Sequence, residues 1–469
     1  MNPAPDPPQL KRVLGLRDVV LFVVIAGSNL QWVATAAASG PSSLVIWVLG
    51  GLAMFLPLSV CVAFLSSRYP DQGGLYVWSK QAFGPFAGFM TGWTYWTANL
   101  PYLPGLLYFA AGSLLFSAGG RSAAAGSPAY FIAFALAALG VAVFLNVRGL
   151  AIAKWLNNAG GIARTLAMLL LAGVGAGMWW RFGAATAVNH QTLMPGLRLA
   201  DVIFWSTIAL AWTGPEAAAF MGGEIHDPRR TVPLALAIGA PLIAAIYLVG
   251  TLSVLLAVPQ QNTSALYGVM EAFQAAAGGL HLPWLMPLAA VCVSVSCIGS
   301  VGAWLGATAR IPFAAGIDSY LPKSFARLHP RYGSPTVAIA AQAVIAGVCA
   351  VLGQAGTSVK GAYDVLVDMT VLTTMLPFIA LFGAAISLSG GAHRPGEVTL
   401  PGGRTTLIGL SLVGLATTVG AIGLALVPPP DEPHPALALL KVVGMSMALL
   451  LGGAAVFWSG RHRARAGIA

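Results

Sequence analysis

Apolar runs of 18 or more residues recur along the whole chain, and they limit its fold more than any other feature. Each run is long enough to cross a bilayer whose hydrocarbon core is about 30 Å thick. Of the 469 residues, 57% are hydrophobic and only 8% are charged. A soluble domain carries roughly 25% charged residues. The sequence therefore predicts an all-α integral membrane protein, because helices satisfy their own backbone hydrogen bonds in lipid.

We predict twelve transmembrane helices joined by short segments, which leave no room for a soluble domain. The expected spans are 17–39, 43–66, 84–116, 128–146, 154–180, 200–224, 232–257, 284–315, 334–353, 362–389, 405–427 and 435–459. The start of the chain is polar and Pro-rich, and the first apolar run is too long for a signal peptide, so no cleavable signal is expected. All four cysteines lie in apolar segments and are expected to be core residues, without a disulfide or metal role: Cys61, Cys292, Cys297 and Cys349.

The distribution of basic residues predicts the orientation. If the N-terminus is cytoplasmic, most of the 24 Lys and Arg residues fall in cytoplasmic segments, as the positive-inside rule requires. We therefore expect both termini in the cytoplasm and the protein in the cell (inner) membrane. The net charge of +10 is then a topology signal, and no nucleic-acid partner is expected.

The sixth expected span contains a helix start in its middle. Pro215 suits the first helical position, Thr213 or Gly214 suits the cap, and Glu216 completes a capping box. Unpaired backbone groups at that depth cost several kcal/mol each unless protein, water or ligand satisfies them. A broken helix near the midplane therefore predicts a transporter binding site. An ordinary Gly-Pro kink is the alternative.

The first expected span is interrupted by Gly27, Ser28 and Asn29. Ser and Asn compete for backbone hydrogen bonds, and Gly is permissive, so this triplet favours a break. The alternative is a patch of small residues at a helix–helix contact. Breaks in spans one and six, five helices apart, predict two inverted five-helix repeats that share a central site.

Three segments carry a resemblance to a known family. They are Tyr69-Pro-Asp-Gln-Gly-Gly-Leu-Tyr-Val-Trp78, Gly222-Gly-Glu-Ile-His-Asp-Pro-Arg-Arg-Thr-Val-Pro233, and the run from Ala309-Arg310 through Gly316-Ile-Asp-Ser-Tyr-Leu-Pro322 to Gly333-Ser-Pro-Thr336. In this order and spacing they resemble the amino acid–polyamine–organocation superfamily, and they are closest in pattern to antiporters such as the arginine–agmatine and glutamate–GABA exchangers. The resemblance implies the five-plus-five inverted repeat of the neurotransmitter–sodium symporters, with two peripheral helices.

The expected organisation follows from the breaks and the resemblance. It has a cytoplasmic N-terminal tail, a first repeat, a second inverted repeat, two peripheral helices and a cytoplasmic C-terminal tail. These parts cover 1–16, 17–180, 200–389, 405–459 and 460–469, respectively.

A substrate with an α-carboxylate and an α-amine would fit the two breaks. N–H groups at the start of the second half of helix one suit the carboxylate, and carbonyls at the end of the first half of helix six suit the amine. The predicted substrate-binding residues are Ala26, Gly27, Ser28, Asn29, Leu30, Ala209, Leu210, Trp212, Thr213 and Gly214. The family usually has Gly-Ser-Gly in helix one, so Asn29 is a departure that is expected to affect substrate choice.

Glu216 is a candidate for proton coupling and gating. A charge at mid-membrane costs about 2.5–3.5 kcal/mol, whereas a cap returns only about 0.3–1 kcal/mol. Its position resembles that of the helix-six glutamate of the arginine–agmatine antiporter. Glu224, nearer the cytoplasmic end, is expected to belong to a gate.

Arg164 is the basic residue deepest in an expected span. By resemblance it lies at or near the place of a Lys that substitutes for sodium in sodium-independent members, so it is a candidate cation substitute; a packing role is the alternative. Trp304 resembles the gating tryptophan on helix eight of the arginine–agmatine antiporter, and Trp93 is a further candidate gate residue. Either ring could instead be core.

The sequence thus predicts a secondary active transporter of amino acids or related amines that uses alternating access. Transport is expected to be independent of sodium, and both exchange and proton-coupled symport are compatible with the sequence. A polyamine or organic cation transporter of the same fold and a non-transporting amino acid sensor are the alternatives. No enzyme motif, cofactor or metal site is expected. The expected partners are a small-molecule substrate and the bilayer, and assembly as a homodimer is left open.

Overall fold

The computed structural model describes residues 10–118, 127–354, 359–391, 394–427 and 435–465. In these residues the regular structure is helical, apart from one parallel bridge between Leu14 and Ile225. The helices are α1 (Leu16–Gly27), α2 (Leu30–Ala38), α3 (Ser42–Gly50), α4 (Leu56–Arg68), α5 (Leu75–Phe83), α6 (Pro85–Leu115), α7 (Pro128–Val147), α8 (Leu150–Phe182), α9 (His190–Leu193), α10 (Leu199–Ala211), α11 (Pro228–Ala257), α12 (Gly268–Gly279), α13 (Leu285–Thr308), α14 (Arg310–Ile317), α15 (Thr336–Leu352), α16 (Val359–Ser387), α17 (Gly403–Ala425) and α18 (Pro435–Arg465).

The prediction of an all-α membrane protein is confirmed. In the described residues, 7 helical stretches are long and apolar enough to cross a membrane: Leu16–Ala38, Ser42–Arg68, Pro128–Val147, Leu150–Phe182, Pro228–Ala257, Leu285–Ile317 and Gly403–Ala425. α6 has the length and no charge, but its Trp, Tyr, Thr and Asn residues lower its hydropathy. The count of twelve spans and the two repeats stay predictions.

The first membrane helix is broken where the sequence predicts a break. α1 ends at Gly27, and the backbone of Ser28 and Asn29 is extended, with φ of −131° and −145°. The side-chain Oδ1 of Asn29 then accepts the N–H of Gln31 at 3.2 Å and caps α2. An asparagine oxygen in this position satisfies one of the free N–H groups of a helix start.

The sixth predicted span breaks at Gly214. Its φ of +121° lies in a region that other L-residues avoid, so α10 cannot continue through it. A 3₁₀ helix, Pro215–Glu224, begins directly afterwards. Glu216 Oε2 accepts the Gly214 N–H at 2.8 Å, which completes the predicted cap. The helix start at Pro215 is therefore confirmed, although the segment is a 3₁₀ helix.

α6 and α13 lie at the centre of the bundle. α6 packs against α13, α16 and α5, and α13 also packs against α8. Small residues permit a close approach of α8 and α13, since a Cβ on Gly160 would lie 2.7 Å from the Cα of Gly299. α1 packs against α8, α11 and α13, which places the first break at the middle of the bundle.

Several elements differ from the expected boundaries. The short helices α5, α9, α12 and α14 fall in segments for which no helix, or only part of a span, is predicted. α18 extends to Arg465, so the predicted C-terminal tail begins inside a helix. Residues 1–9 and 466–469 of the two predicted tails lie outside the described residues.

Candidate functional site

The two helix breaks touch each other. A Cβ on Gly214 would collide with the carbonyl oxygen of Ala26 and lie 3.0 Å from the Cα of Gly27. A Cβ on Gly27 would lie 2.7 Å from Ile243 Cδ1 and 3.0 Å from Pro215 Cγ. Glycine at both positions lets the interrupted backbones meet. The structure thus brings the two predicted breaks together at one place.

A small cavity of about 40 Å³ lies at this meeting point. A water molecule needs about 10–15 Å³ by this measure, so the cavity has room for a few waters and is smaller than an amino acid. The predicted residues that line it are Ala26, Ser28, Asn29, Leu210, Thr213 and Trp304. The central site is therefore contracted in this conformation.

Other lining residues are ones that sequence reasoning missed as site residues. They are Trp32, Asn99, Tyr102, Tyr247 and Thr374, and they come from α2, α6, α11 and α16. Ala211 of α10 also lines the cavity, and it lies in the stretch whose carbonyls were expected to face an amine. A signal for some of them exists in the sequence. Tyr247 and Asn99 each place a polar group in the middle of an apolar helix, where it needs a partner.

Two fully buried polar atoms of residues at the cavity lack a partner among the described residues. They are the indole N–H of Trp304 and the hydroxyl of Thr374, both buried. The Trp304 ring meets the Tyr102 ring edge to face, with centroids 5.9 Å apart. The cavity wall therefore offers a free donor, a free hydroxyl and an aromatic surface, a combination that suits a polar molecule with an apolar part.

Asn29 uses each polar group of its side chain. Besides the cap on Gln31, its Nδ2 donates to the hydroxyl of Tyr102 at 3.1 Å. Its backbone N–H donates to the hydroxyl of Tyr247 at 3.2 Å. The residue is 3% exposed, so these contacts are shielded from bulk water. Asn29 therefore both caps α2 and joins the first break to α6 and α11.

Arg164 lies between the first break and α13, completely buried. Its Nε donates to Ser296 Oγ at 2.8 Å and its Nη2 donates to Ser300 Oγ at 2.9 Å. Its Nη1 donates to the carbonyl oxygen of Ser28. Among the described residues no carboxylate pairs with it. A fixed positive charge, held only by neutral acceptors, thus lies directly behind a residue that lines the cavity.

Glu216 is also completely buried, but it does not line the cavity. Each carboxylate oxygen has one donor: Oε1 accepts from the Tyr95 hydroxyl and Oε2 from the Gly214 N–H. The side chain therefore caps the half-helix and is coupled to α6. Its proton-coupling and gating roles stay predictions.

The remaining predicted residues lie beside the cavity or away from it. Gly27, Leu30 and Gly214 are buried at the breaks without lining the cavity. Ala209 faces an apolar pocket between α3, α10 and α17. The indole N–H of Trp212 donates to the carbonyl of Trp47 at 3.2 Å, so this ring points into an aromatic cluster.

Trp93, a predicted gate residue, does not line the cavity. Its indole N–H donates to the carbonyl of Leu449 in α18 at 2.8 Å. Its ring packs against Phe89 and Trp96, with centroids 6.0 and 5.8 Å away. In this conformation Trp93 anchors a peripheral helix.

On the side predicted to be cytoplasmic, Glu224 and Arg310 form a buried ion pair. Glu224 accepts from Nε and Nη2 of Arg310, both at 2.8 Å, and the two side chains are 4% and 1% exposed. The backbone N–H groups of Val13 and Leu14 donate to the carbonyl of Glu224. The chain before α1 is thereby fixed over the end of the 3₁₀ helix, and the gate role of Glu224 stays a prediction.

Comparison with known proteins agrees with this architecture. The amino acid permease family matches residues 14–451. An uncharacterized transporter of Legionella pneumophila is 28% identical over 450 residues, which is 95% of each chain. A glutamate/gamma-aminobutyrate antiporter of Lactococcus lactis is 25% identical over 86% of this chain and 82% of its own.

A third relative matches a smaller part of the chain. A probable agmatine/putrescine antiporter of Lactococcus lactis is 25% identical over 68% of this chain and 67% of its own. The family match covers both helix breaks, the cavity and the ion pair described above. The chain therefore belongs to the amino acid permease family of the amino acid–polyamine–organocation superfamily, and it is a multi-pass membrane transporter of amino acids or amines.

Proposed function

We propose that the protein is a secondary active transporter of amino acids that works by alternating access and does not use sodium. The two breaks and their cavity would hold the α-amino and α-carboxyl groups. Exchange and proton-coupled symport both fit this arrangement. We further propose that it resides in the cell membrane with both termini in the cytoplasm.

The position of Arg164 is the main support for this proposal. Arg164 donates to the Ser28 carbonyl and to two serines of α13, so its guanidinium fills the space between the first break and α13. A sodium ion there would face a fixed positive charge, which supports sodium independence. The same charge favours an anionic group at the first break. An amino acid offers a carboxylate at that position and a diamine does not.

A polyamine or agmatine transporter remains the second candidate, because one relative is a probable agmatine/putrescine antiporter. The aromatic surface of Trp304 and Tyr102 could stack on a cationic group. Arg164 weighs against it, since two like charges would lie near each other in a region of low dielectric.

Uptake into proteoliposomes separates these possibilities. Purified protein would be tested with each labelled common amino acid, agmatine and putrescine, with and without a pH gradient, in sodium and in choline buffer. The proposal expects uptake of at least one amino acid at the same rate in both buffers. Uptake of agmatine or putrescine alone favours the second candidate. Binding of an amino acid without any counterflow indicates a sensor and contradicts the proposal.

A further inference from the structure

Tyr247 projects from α11 into the place where the two breaks meet. Its ring stacks on Trp47, with centroids 4.1 Å apart and planes 7° apart, and meets Trp212 edge to face at 5.1 Å. The residue is 1% exposed. This packing fixes the ring and leaves its hydroxyl at the cavity, which it lines.

The hydroxyl bonds to one backbone group from each break. It accepts the N–H of Asn29 at 3.2 Å and donates to the carbonyl of Ala211, the last residue of α10, at 2.8 Å. The carbonyl of Gly27 is 3.3 Å away. The N–H belongs to the group expected to receive a substrate carboxylate, and the Ala211 carbonyl belongs to the group expected to receive a substrate amine. One hydroxyl thus makes both types of contact.

We propose that the Tyr247 hydroxyl is an internal substitute for the substrate. It satisfies the exposed backbone of both breaks when the site is empty, and so it lets the empty transporter close and return across the membrane. This inference rests on the proposed transport function and extends it. It predicts that the protein carries out net transport, because a carrier that returns empty is not restricted to exchange.

The hydroxyl can favour closure of the empty site because an unpaired backbone group is costly when it is buried. When the site is open, water can bond to the Asn29 N–H and the Ala211 carbonyl. When it closes without substrate, these groups need another partner, and an unpaired buried donor or acceptor makes closure unfavourable. Tyr247 removes this cost for the empty site only. Bound substrate must displace the hydroxyl, so the same contact lowers substrate affinity.

The test compares net uptake with exchange in the full-length protein. For one amino acid that the wild type transports, uptake is measured into empty proteoliposomes and into proteoliposomes loaded with the same unlabelled amino acid. Tyr247→Phe keeps the ring and removes the hydroxyl. We expect Tyr247→Phe to lower uptake into empty vesicles by about fivefold or more relative to exchange, and to bind the amino acid more tightly.

Tyr108→Phe is the matched control. Tyr108 is 1% exposed, and its hydroxyl donates to the carbonyl of Ala350, away from the cavity. This variant should keep the wild-type ratio of net uptake to exchange. An equal ratio in Tyr247→Phe and wild type, as expected if water replaced the hydroxyl, overturns the inference.

The wild type also tests the inference without any substitution. Uptake into empty vesicles supports it, and uptake that occurs only into loaded vesicles overturns it while leaving the transport function intact. If the wild type moves none of the amino acids in either assay, the proposed function itself fails, and this inference fails with it.

Discussion

The hydroxyl of Tyr95 donates a hydrogen bond to Oε1 of Glu216 over 2.6 Å, and both residues are completely buried. The ring of Tyr95 also lies 6.3 Å from that of Trp304, with the planes 29° apart. Trp304 lines the cavity. A single side chain of α6 thus connects the carboxylate at the second break to the aromatic wall of the central site.

Glu216→Gln tests whether this carboxylate responds to protons. The amide keeps an acceptor for the Gly214 N–H, so the cap loses only the dipole contribution of about 0.3–1 kcal/mol. We expect binding to persist and the pH dependence of transport to flatten, because the side chain can no longer gain or lose a proton. The measurement is the initial rate of uptake from acidic to neutral pH.

Tyr95→Phe provides the matched variant for Glu216. It removes the donor to Oε1 and keeps the ring next to Trp304. If Glu216 carries the proton dependence, this variant shifts the pH profile without flattening it. A pH profile in Glu216→Gln that matches the wild type would show that the carboxylate is a cap and nothing more.

Arg164→Ala should abolish transport in a protein that still inserts. The substitution leaves the Ser28 carbonyl and the hydroxyls of Ser296 and Ser300 without their common donor. Each hydrogen bond to a charged group contributes about 1.5–3 kcal/mol, so the loss of these bonds should leave the first break without a fixed position. We therefore expect substrate affinity to fall at least about tenfold. Arg164→Lys should recover only part of the lost affinity, since one ammonium group cannot reproduce the planar set of donors of a guanidinium.

Substrate binding by purified protein and uptake in choline buffer measure these effects. Arg181→Ala is the control, because Arg181 is exposed at the end of α8 and should tolerate the change. A wild-type rate that falls by more than about half when choline replaces sodium would argue against the role of Arg164 as a cation substitute, since its charge should exclude sodium.

Asn29→Gly should broaden substrate specificity. It removes the amide that donates to the Tyr102 hydroxyl and frees space at the first break. We expect apparent affinities for the preferred substrate to shift by about 1–3 kcal/mol, the usual cost of an unpaired polar partner. Competition assays with a panel of amino acids measure the change. Asn29→Leu should block binding through bulk and desolvation together.

Asn29→Ser separates capping from recognition. Serine can accept the Gln31 N–H and cap α2, but it is too short to reach Tyr102. If Asn29 contributes to recognition, this variant changes the order of preferred substrates. Wild-type affinities for every substrate in Asn29→Ser would mean that the residue is only a cap.

Arg310→Ala should destabilise the protein strongly. It leaves Glu224 as a buried, unpaired charge, which costs about 3–5 kcal/mol, whereas removing both charges is often close to neutral. The double variant Arg310→Met with Glu224→Gln should therefore be more stable than Arg310→Ala. Thermal unfolding in detergent compares the midpoint temperatures of the wild type, the single variant and the double variant. Equal stability of the single and double variants would show that an unpaired Glu224 does not carry this cost.

The positions of both breaks could be predicted because their causes are local. Gly27, Ser28 and Asn29 favour non-helical backbone by their own chemistry, and Gly214 before Pro215 ends one helix and starts another. The all-α membrane class followed from the apolar runs, which leave no other way to satisfy the backbone in lipid. These results required no knowledge of which helices are neighbours.

The direction in which each side chain points from its helix could not be predicted, because it depends on tertiary structure. Trp212 and Ala209 were expected at the cavity, yet one points into an aromatic cluster and the other to an apolar pocket. In a soluble protein, the polar face of a helix shows which opposite face is buried. A membrane helix that is apolar on every side gives no such signal. Its rotation is set by the neighbours it packs against.

The membrane class, the two interrupted helices and the buried charges that require partners could all be inferred from the residue order. Which residues serve as those partners depends on how the helices pack. Tyr247 lies more than 200 residues from Asn29 in the chain, and Thr374 lies farther still, yet both line the same cavity. Contacts of such sequence separation arise from the packing of rigid helices, because no local pattern encodes which residues of distant helices will meet.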